Sequence, residues 1–208
     1  MLQGVKNILF DFGGVLFHID YQRTIDAFKK LGITDFEKYF TQHQQCDLFD
    51  AFETGKINSK VFIKTLQEFL SNCSGQVIID AWNAMLIGFP AENLKLLDDL
   101  SKNYRLYLLS NTNEIHIQFV DAFLKEHYNI PSINQFFEKT YYSHKIGMRK
   151  PHKSTFECVL KDANILAEET LFIEDTAQHI EGAKHAELKT HHLESNTAII
   201  SLFPDTAL

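Results

Sequence analysis

Hydrophobic and polar positions change rhythm along this chain, and the changes mark its architecture. Residues 7 to 16 read Asn-Ile-Leu-Phe-Asp-Phe-Gly-Gly-Val-Leu: an apolar run, one carboxylate, then two glycines. A short continuous apolar run closed by turn residues suits a strand buried on both faces of a parallel sheet. Such sheets bind ligands outside the carboxyl ends of their strands, which is where Asp11 falls. Gly13 and Gly14 let backbone amides approach whatever that carboxylate faces. Taken alone, the D-x-G-G run fits an Asp that merely caps a turn equally well.

After an extended excursion over 15–20 the period becomes helical from Tyr21 to about Asn83. Ile25, Phe28 and Leu31 share one face and Gly32 is placed as a C-cap. Phe36, Tyr39 and Phe40 predict a second helix. A third, capped by Asn58 or Ser59, carries Val61, Phe62, Thr65, Leu66 and Phe69; a fourth carries Val77, Ile78, Ala81, Trp82 and Met85. No strand signal interrupts this block, so it reads as an all-helical insertion whose aromatic stripes are packing. Beyond Gly88-Phe89-Pro90, strands and helices alternate. Strands are predicted at 105–109, near Tyr141-Tyr142, at 171–173 and near 190–193. Helices are predicted at 91–102, 114 to about 127, 152–162 (opened by Pro151) and 176–186, with a short one at the end. Alternation of this kind predicts an α/β fold: a Rossmann-like parallel sheet with helices on both faces. Residues 1–16 and 89–208 would form that core, and 17–88 the inserted helical unit.

Composition narrows the partners. With 208 residues the chain can bury a sizeable core. A net charge of −7 argues against nucleic acid, whose phosphates call for a basic face. It leaves room for a small anion if a few basic groups converge. Cys46, Cys73 and Cys158 have neither paired nor metal-binding spacing and read as reduced thiols. No apolar run suits a signal peptide or a membrane span, so the expected location is the cytoplasm, with no membrane partner. Nothing in the sequence speaks to oligomeric state.

The strand ends carry the chemistry. The first ends at Asp11, the second at Ser110-Asn111, the loop before Pro151 supplies Lys150, and a later strand ends at Glu174-Asp175. In a parallel sheet these ends share one edge and converge on one crevice. Together they suit phosphoryl transfer, which needs a nucleophile, donors for the phosphoryl oxygens, a fixed cation and usually Mg²⁺. Asp11 is the candidate nucleophile. Ser110 and nearby amides suit a phosphate, and Lys150 adds a point charge. Mg²⁺ prefers carboxylates and water, which Asp11, Glu174 and Asp175 provide. Adjacent acids at a buried strand end repel each other unless a cation joins them.

In order, D-x-G-G-V, L-L-S-N-T-N, K-I-G-M-R-K-P and F-I-E-D-T-A-Q-H-I-E-G-A resemble the haloacid dehalogenase superfamily over the whole chain. The nearest look is to its sugar-phosphate phosphatases, including alpha-D-glucose-1-phosphate phosphatases, and to the phosphatase domain of soluble epoxide hydrolase. The resemblance implies a Mg²⁺-dependent phosphatase of a small phosphorylated metabolite, with 17–88 as a helical cap. Asp11 would form an aspartyl-phosphate, Ser110 and the Asn111 amide would hold the phosphoryl group, and Lys150 would neutralise it. Asp11, Asp175 and the Gly13 carbonyl would bind Mg²⁺, with Glu174 joining directly or through water. One position departs from the family. Most of its phosphatases carry an acid–base Asp two residues after the nucleophile, and here that residue is Gly13. Losing such help typically costs about 10²–10⁴ in rate. His18 is a candidate substitute, and His43, Asp47 and Glu53 could face the crevice from the cap. The missing acid also motivates a second reading, a catalytically weak phosphometabolite-binding or regulatory protein. A metal-free 2-haloacid dehalogenase is a third; the paired acids fit it poorly.

Overall fold

Alternate residues of each central strand point into two different cores. We describe a computed structural model of the chain, which covers residues 2–41, 47–70, 72–194 and 197–204. His43 and Cys46 lie outside the described residues. The chain runs β1 (Asn7–Phe10), β2 (His18–Ile19), α1 (Tyr21–Leu31), α2 (Asp47–Glu53), α3 (Ser59–Phe69), α4 (Gly75–Asn83), β3 (Leu86–Gly88) and α5 (Ala91–Ser101). It continues through β4 (Arg105–Ser110), α6 (Glu114–Tyr128), β5 (Lys139–Tyr142), α7 (Ser143–Ile146) and α8 (Lys153–Ala163). β6 (Thr170–Glu174), α9 (Ala177–His185) and β7 (Lys189–His192) complete it.

Five strands form a sheet in the order β5-β4-β1-β6-β7, and every neighbouring pair is parallel. Ile8, Phe10, Leu106, Leu108 and Ile173 enter one core with α5 and α6 residues such as Leu97 and Val120. Leu9, Tyr107, Leu109 and Phe172 enter the other, with Phe156 and Val159 of α8 and Ile180 and Ala183 of α9. A sheet covered on both faces explains why β1 and β4 read as unbroken apolar runs. β1 is central, and the chain builds to one side of it before crossing to the other. The ends of β1, β4 and β6 therefore flank the place where strand order reverses.

Helices α1 to α4 surround a separate apolar cluster that includes Phe28, Phe36, Phe40, Phe49, Phe62 and Trp82. Asp20, Asn58 and Ser74 each cap a helix by accepting a hydrogen bond from a first-turn backbone N–H. Gly32 ends α1 with φ of 118°, as its C-cap role requires.

The structure corrects four expectations. The segment 17–88 is not all-helical: β2 and β3 pair antiparallel, and Asp20 N–H donates to the Met85 carbonyl at 2.9 Å just beyond them. Strands of two and three residues are too short to leave a periodic signal. Phe36–Lys38 is a single 3₁₀ turn, not an α-helix; its aromatics are fixed by tertiary packing, with Phe36 stacked on Phe28 at 4.2 Å. The stretch before Lys150 contains the short helix α7. Pro151 does not open α8: the Lys150–Pro151 peptide is cis and the helix begins at Lys153. Asn111 grips the backbone of Lys150 on both sides, at 2.9 Å to its N–H and 3.0 Å to its carbonyl, which holds the chain in a turn ahead of the helix.

Candidate active site

Asp11 follows directly on β1 and is held there by the sheet. Its backbone N–H donates to the Ile173 carbonyl at 2.9 Å, carrying the ladder one residue past the strand. The Phe12 carbonyl then accepts from both Leu16 and Phe17, each at 2.8 Å, and closes a tight loop. Gly14 has φ of 85°, and a Cβ there would lie 2.3 Å from Asp175 Oδ2. Only glycine lets the loop after β1 close against the Asp175 carboxylate.

Lys150 is 1% exposed, and its Nζ donates to Asp11 Oδ1 at 2.5 Å and to Glu174 Oε2 at 2.6 Å. Glu174 ends β6 and is fully buried. Its Oε1 accepts from the backbone N–H groups of Asp175 and Thr176, at 3.2 and 3.1 Å. Its Oε2 accepts from Lys150 and from His179 Nδ1 at 2.9 Å. An ionised carboxylate only accepts, so Nδ1 of a neutral His179 carries the proton. With both oxygens engaged, Glu174 positions Lys150 and the turn that presents Asp175.

Ser110 ends β4, buried at the same edge, and lines the crevice with Asp11, Asn111, Lys150, Asp175 and His179. The Asn111 side chain is spent on Lys150, which leaves its backbone amide as the group that can face a ligand. Asn113 caps α6 by accepting from His116 N–H at 3.1 Å and takes no part in the crevice lining.

The charges do not balance. Asp11, Glu174 and Asp175 present oxygens within 4.8 Å of one another, against the single ammonium of Lys150 in contact with two of them. Burial first, then Glu174 and Asp175, push the Asp11 carboxyl well above the usual range against the pull of Lys150. Burial and the hydrogen bond and charge of Glu174 push Asp175 up to about 7. Burial also works against the charge of Glu174, but Lys150 and His179 outweigh it and hold that carboxyl well below the usual range. Lys150 is disfavoured by burial and yet raised by its two carboxylates. Burial and the charge of neighbouring carboxylates hold both acids up, and an additional cation between them would relieve both. Hard oxygen ligands of this kind fit Mg²⁺.

The inserted segment forms the opposite wall. Tyr21, Phe40, Glu53, Met85 and Leu86 line the crevice. Arg149, one residue before Lys150, reaches across to Asp50 at 3.0 Å and Glu53 at 3.2 Å. Of the earlier candidates on this segment, Glu53 is buried and lines the crevice, whereas Asp47 is exposed and outside the lining. His18 is exposed on β2, opposite Gly88, and does not line the crevice. Sequence reading missed Tyr21, Arg149 and His179. His179 alone left a trace, since it falls on the first turn of α9 just after the paired acids.

Over residues 5–187 the sequence matches the haloacid dehalogenase-like hydrolases. The chain belongs to that family. The family expected from the four motifs is the family found. Among its members, the D-ribitol-5-phosphate phosphatase of Bacteroides thetaiotaomicron is 32% identical over 195 residues, covering 92% of this chain and 93% of that protein. A wild-type family enzyme of the same organism, solved in complex with magnesium and inorganic phosphate, superposes with a TM-score of 0.85. It is 33% identical, with 96% of this chain and 99% of that one covered. A predicted HAD-like hydrolase of Porphyromonas gingivalis reaches a TM-score of 0.87 at 29% identity, covering 97% of each chain. As a haloacid dehalogenase-like hydrolase, the chain is an enzyme. Among its described residues no helix is long and apolar enough to cross a membrane.

Proposed function

We propose that this hydrolase is a Mg²⁺-dependent phosphatase of a small sugar or polyol phosphate, acting from Asp11 beneath a helical cap formed by residues 17–88. The observation that carries this reading is the cluster of Asp11, Lys150, Glu174 and Asp175 at the point where strand order reverses. Named phosphatase activity in a relative at 32% identity supports it. So do the magnesium and phosphate bound by a structural neighbour.

The phosphoryl group is received by the Ser110 hydroxyl, the Asn111 amide and Lys150, which together compensate its oxygens. Asp11 attacks phosphorus with one carboxylate oxygen; the ester P–O bond breaks, its electron pair leaves with the alkoxide, and an aspartyl-phosphate forms. Water then hydrolyses that acyl phosphate, releasing inorganic phosphate and restoring Asp11. Asp11, Asp175 and the Gly13 carbonyl would hold Mg²⁺, with Glu174 holding their frame. When bound, the metal supplies positive charge that keeps both aspartates ionised and offsets the charge of the transferring group. Nothing at Gly13 protonates the leaving oxygen, so esters with good leaving groups should turn over faster than alkyl esters.

A phosphatase screen with aryl and alkyl phosphates, with and without Mg²⁺, tests this reading. Metal-dependent release of phosphate that disappears in Asp11→Asn is expected. A well-folded protein hydrolysing neither class would overturn it.

A further inference from the structure

Glu53 is the one crevice-lining carboxylate among the described residues that comes from the inserted segment rather than from a strand end. It is 5% exposed at the end of α2. Arg149 Nη2 lies 3.2 Å from Glu53 Oε2 and pairs with that buried charge. The Arg149 guanidinium also binds Asp50, whose other carboxylate oxygen meets Lys56 at 3.5 Å, so Arg149 is divided between two acids while Glu53 faces the crevice. Tyr21 stands near enough to Glu53 and Asp11 for both charges, after burial, to hold its phenol well above its ordinary value and hence protonated. The remaining surface on this side includes Ile19, Phe40, Met85, Leu86 and Val120, none of which carries charge. The two cations of the lining, Arg149 and Lys150, are both engaged by carboxylates.

We infer that Glu53 is a specificity-determining residue: its carboxylate accepts hydrogen bonds from hydroxyls of the leaving group and repels leaving groups that carry a second anionic charge. The inference rests on the phosphatase reading and adds its substrate class, uncharged polyhydroxylated monophosphates. A phosphorylated acid or a bisphosphate would bring its extra charge against Glu53 with no uncommitted cation to receive it. Hydroxyls meet an acceptor in Glu53 and a donor in Tyr21, while the apolar side chains cover the C–H faces between them.

D-Ribitol 5-phosphate and 5-phospho-D-ribonate differ only in a carboxylate replacing the terminal CH₂OH, so they isolate the charge. Both are compared with p-nitrophenyl phosphate in the wild type and in Glu53→Gln, which keeps shape and removes charge. The wild type is expected to prefer the ribitol ester by at least about 100-fold in kcat/KM, since the mismatched anion is left unpaired against Glu53. In Glu53→Gln that preference should fall at least about tenfold, mainly through KM, while the aryl ester, which lacks both hydroxyls and second charge, changes by less than about threefold. Equal loss on all three substrates would show that Glu53 only holds the fold, and overturn the inference. A wild type that favours the ribonate ester, or a preference unchanged in Glu53→Gln, would overturn it too. Either result leaves the phosphatase reading intact, because that stands on metal-dependent aryl ester hydrolysis; failure of all hydrolysis removes both.

Discussion

Gly13 and Gly14 are neighbours with opposite tolerances. At Gly14 a Cβ would meet the Asp175 carboxylate at 2.3 Å in a backbone conformation that L residues rarely adopt. Gly14→Ala should therefore displace Asp175, cost about 1–3 kcal/mol of stability, and remove most metal-dependent activity. Thermal unfolding with and without Mg²⁺, alongside aryl phosphate turnover, measures both. At Gly13 a Cβ meets only the flexible end of Ile19, at 3.0 Å, and φ is ordinary. Gly13→Asp is accordingly expected to fold and to supply a proton donor next to Asp11. Turnover of an alkyl phosphate should rise by about 10–100-fold relative to an aryl phosphate, whose leaving group needs little protonation. An unchanged ratio would show that protonation does not limit the wild type. Asp11, Ser110, Lys150 and Asp175 were legible in the sequence because each ends an apolar run or precedes a proline. Tyr21 and Arg149 were not, because what places them is the docking of the inserted helices, which has no local pattern. Glu174 was legible as an acid, but its four hydrogen bonds, which make it a positioning residue, exist only once β6, α9 and the turn carrying Lys150 have assembled.

At the scale of elements, α9 is pressed hard against the turn that carries Lys150. A Cβ on Gly182 would lie 2.0 Å from the Pro151 carbonyl. Gly182→Ala must therefore move either the helix or the turn. Turnover should fall by about tenfold or more even though the substitution lies outside the crevice, because a misplacement near 1 Å is enough to cost that much. The expected signature is a lowered kcat with stability falling by no more than about 1–3 kcal/mol. Within the insertion, Phe62 is fully buried and stacked on Phe52 at 4.2 Å. Phe62→Ala should cost about 3–5 kcal/mol, read by chemical denaturation. The helices α1, α3 and α4 were readable because caps and apolar faces agree locally. The β2–β3 ribbon was not, since its strands are shorter than any period that could announce them.

Across the whole molecule, the inserted segment and the sheet domain are joined by polar contacts as well as packing. Trp82 Nε1 donates to Asn113 Oδ1 at 3.3 Å, Ser59 binds Glu114, and the Trp82 ring stacks on His116 at 4.9 Å. His116 lies at this junction with its Nε2 at 3.2 Å from the Trp82 carbonyl, which makes Nε2 the protonated nitrogen of the neutral ring. Burial lowers its pKa to about 4, against the pull of that carbonyl. Unfolding returns the imidazole to water and its ordinary value near 6.5. Between those two values the unfolded chain binds more protons, so the stability His116 permits is complete above about 6.5 and is lost as pH falls toward 4. Wild-type stability should therefore drop across this window by more than that of His116→Gln, as measured by denaturation at pH 7 and pH 4.5. The parallel sheet and its active edge were predictable from alternation alone, because a strand buried on both faces can be read without knowing its partners. The order of those strands was not predictable, because it is decided by which edges meet.

That order has a consequence for how the protein is made. β1 leaves the ribosome before either of its partners, since Asn7 pairs with Arg105 on one side and Thr170 on the other. β1 must stay unpaired while the helices of the insertion emerge and form their own apolar cluster, and its second edge is satisfied only after β6 has been synthesised. Pairing across such sequence separations is slow, and an exposed apolar strand is prone to aggregate while it waits. The strand that positions Asp11 is thus translated ahead of both its partners and secured only after both have been made.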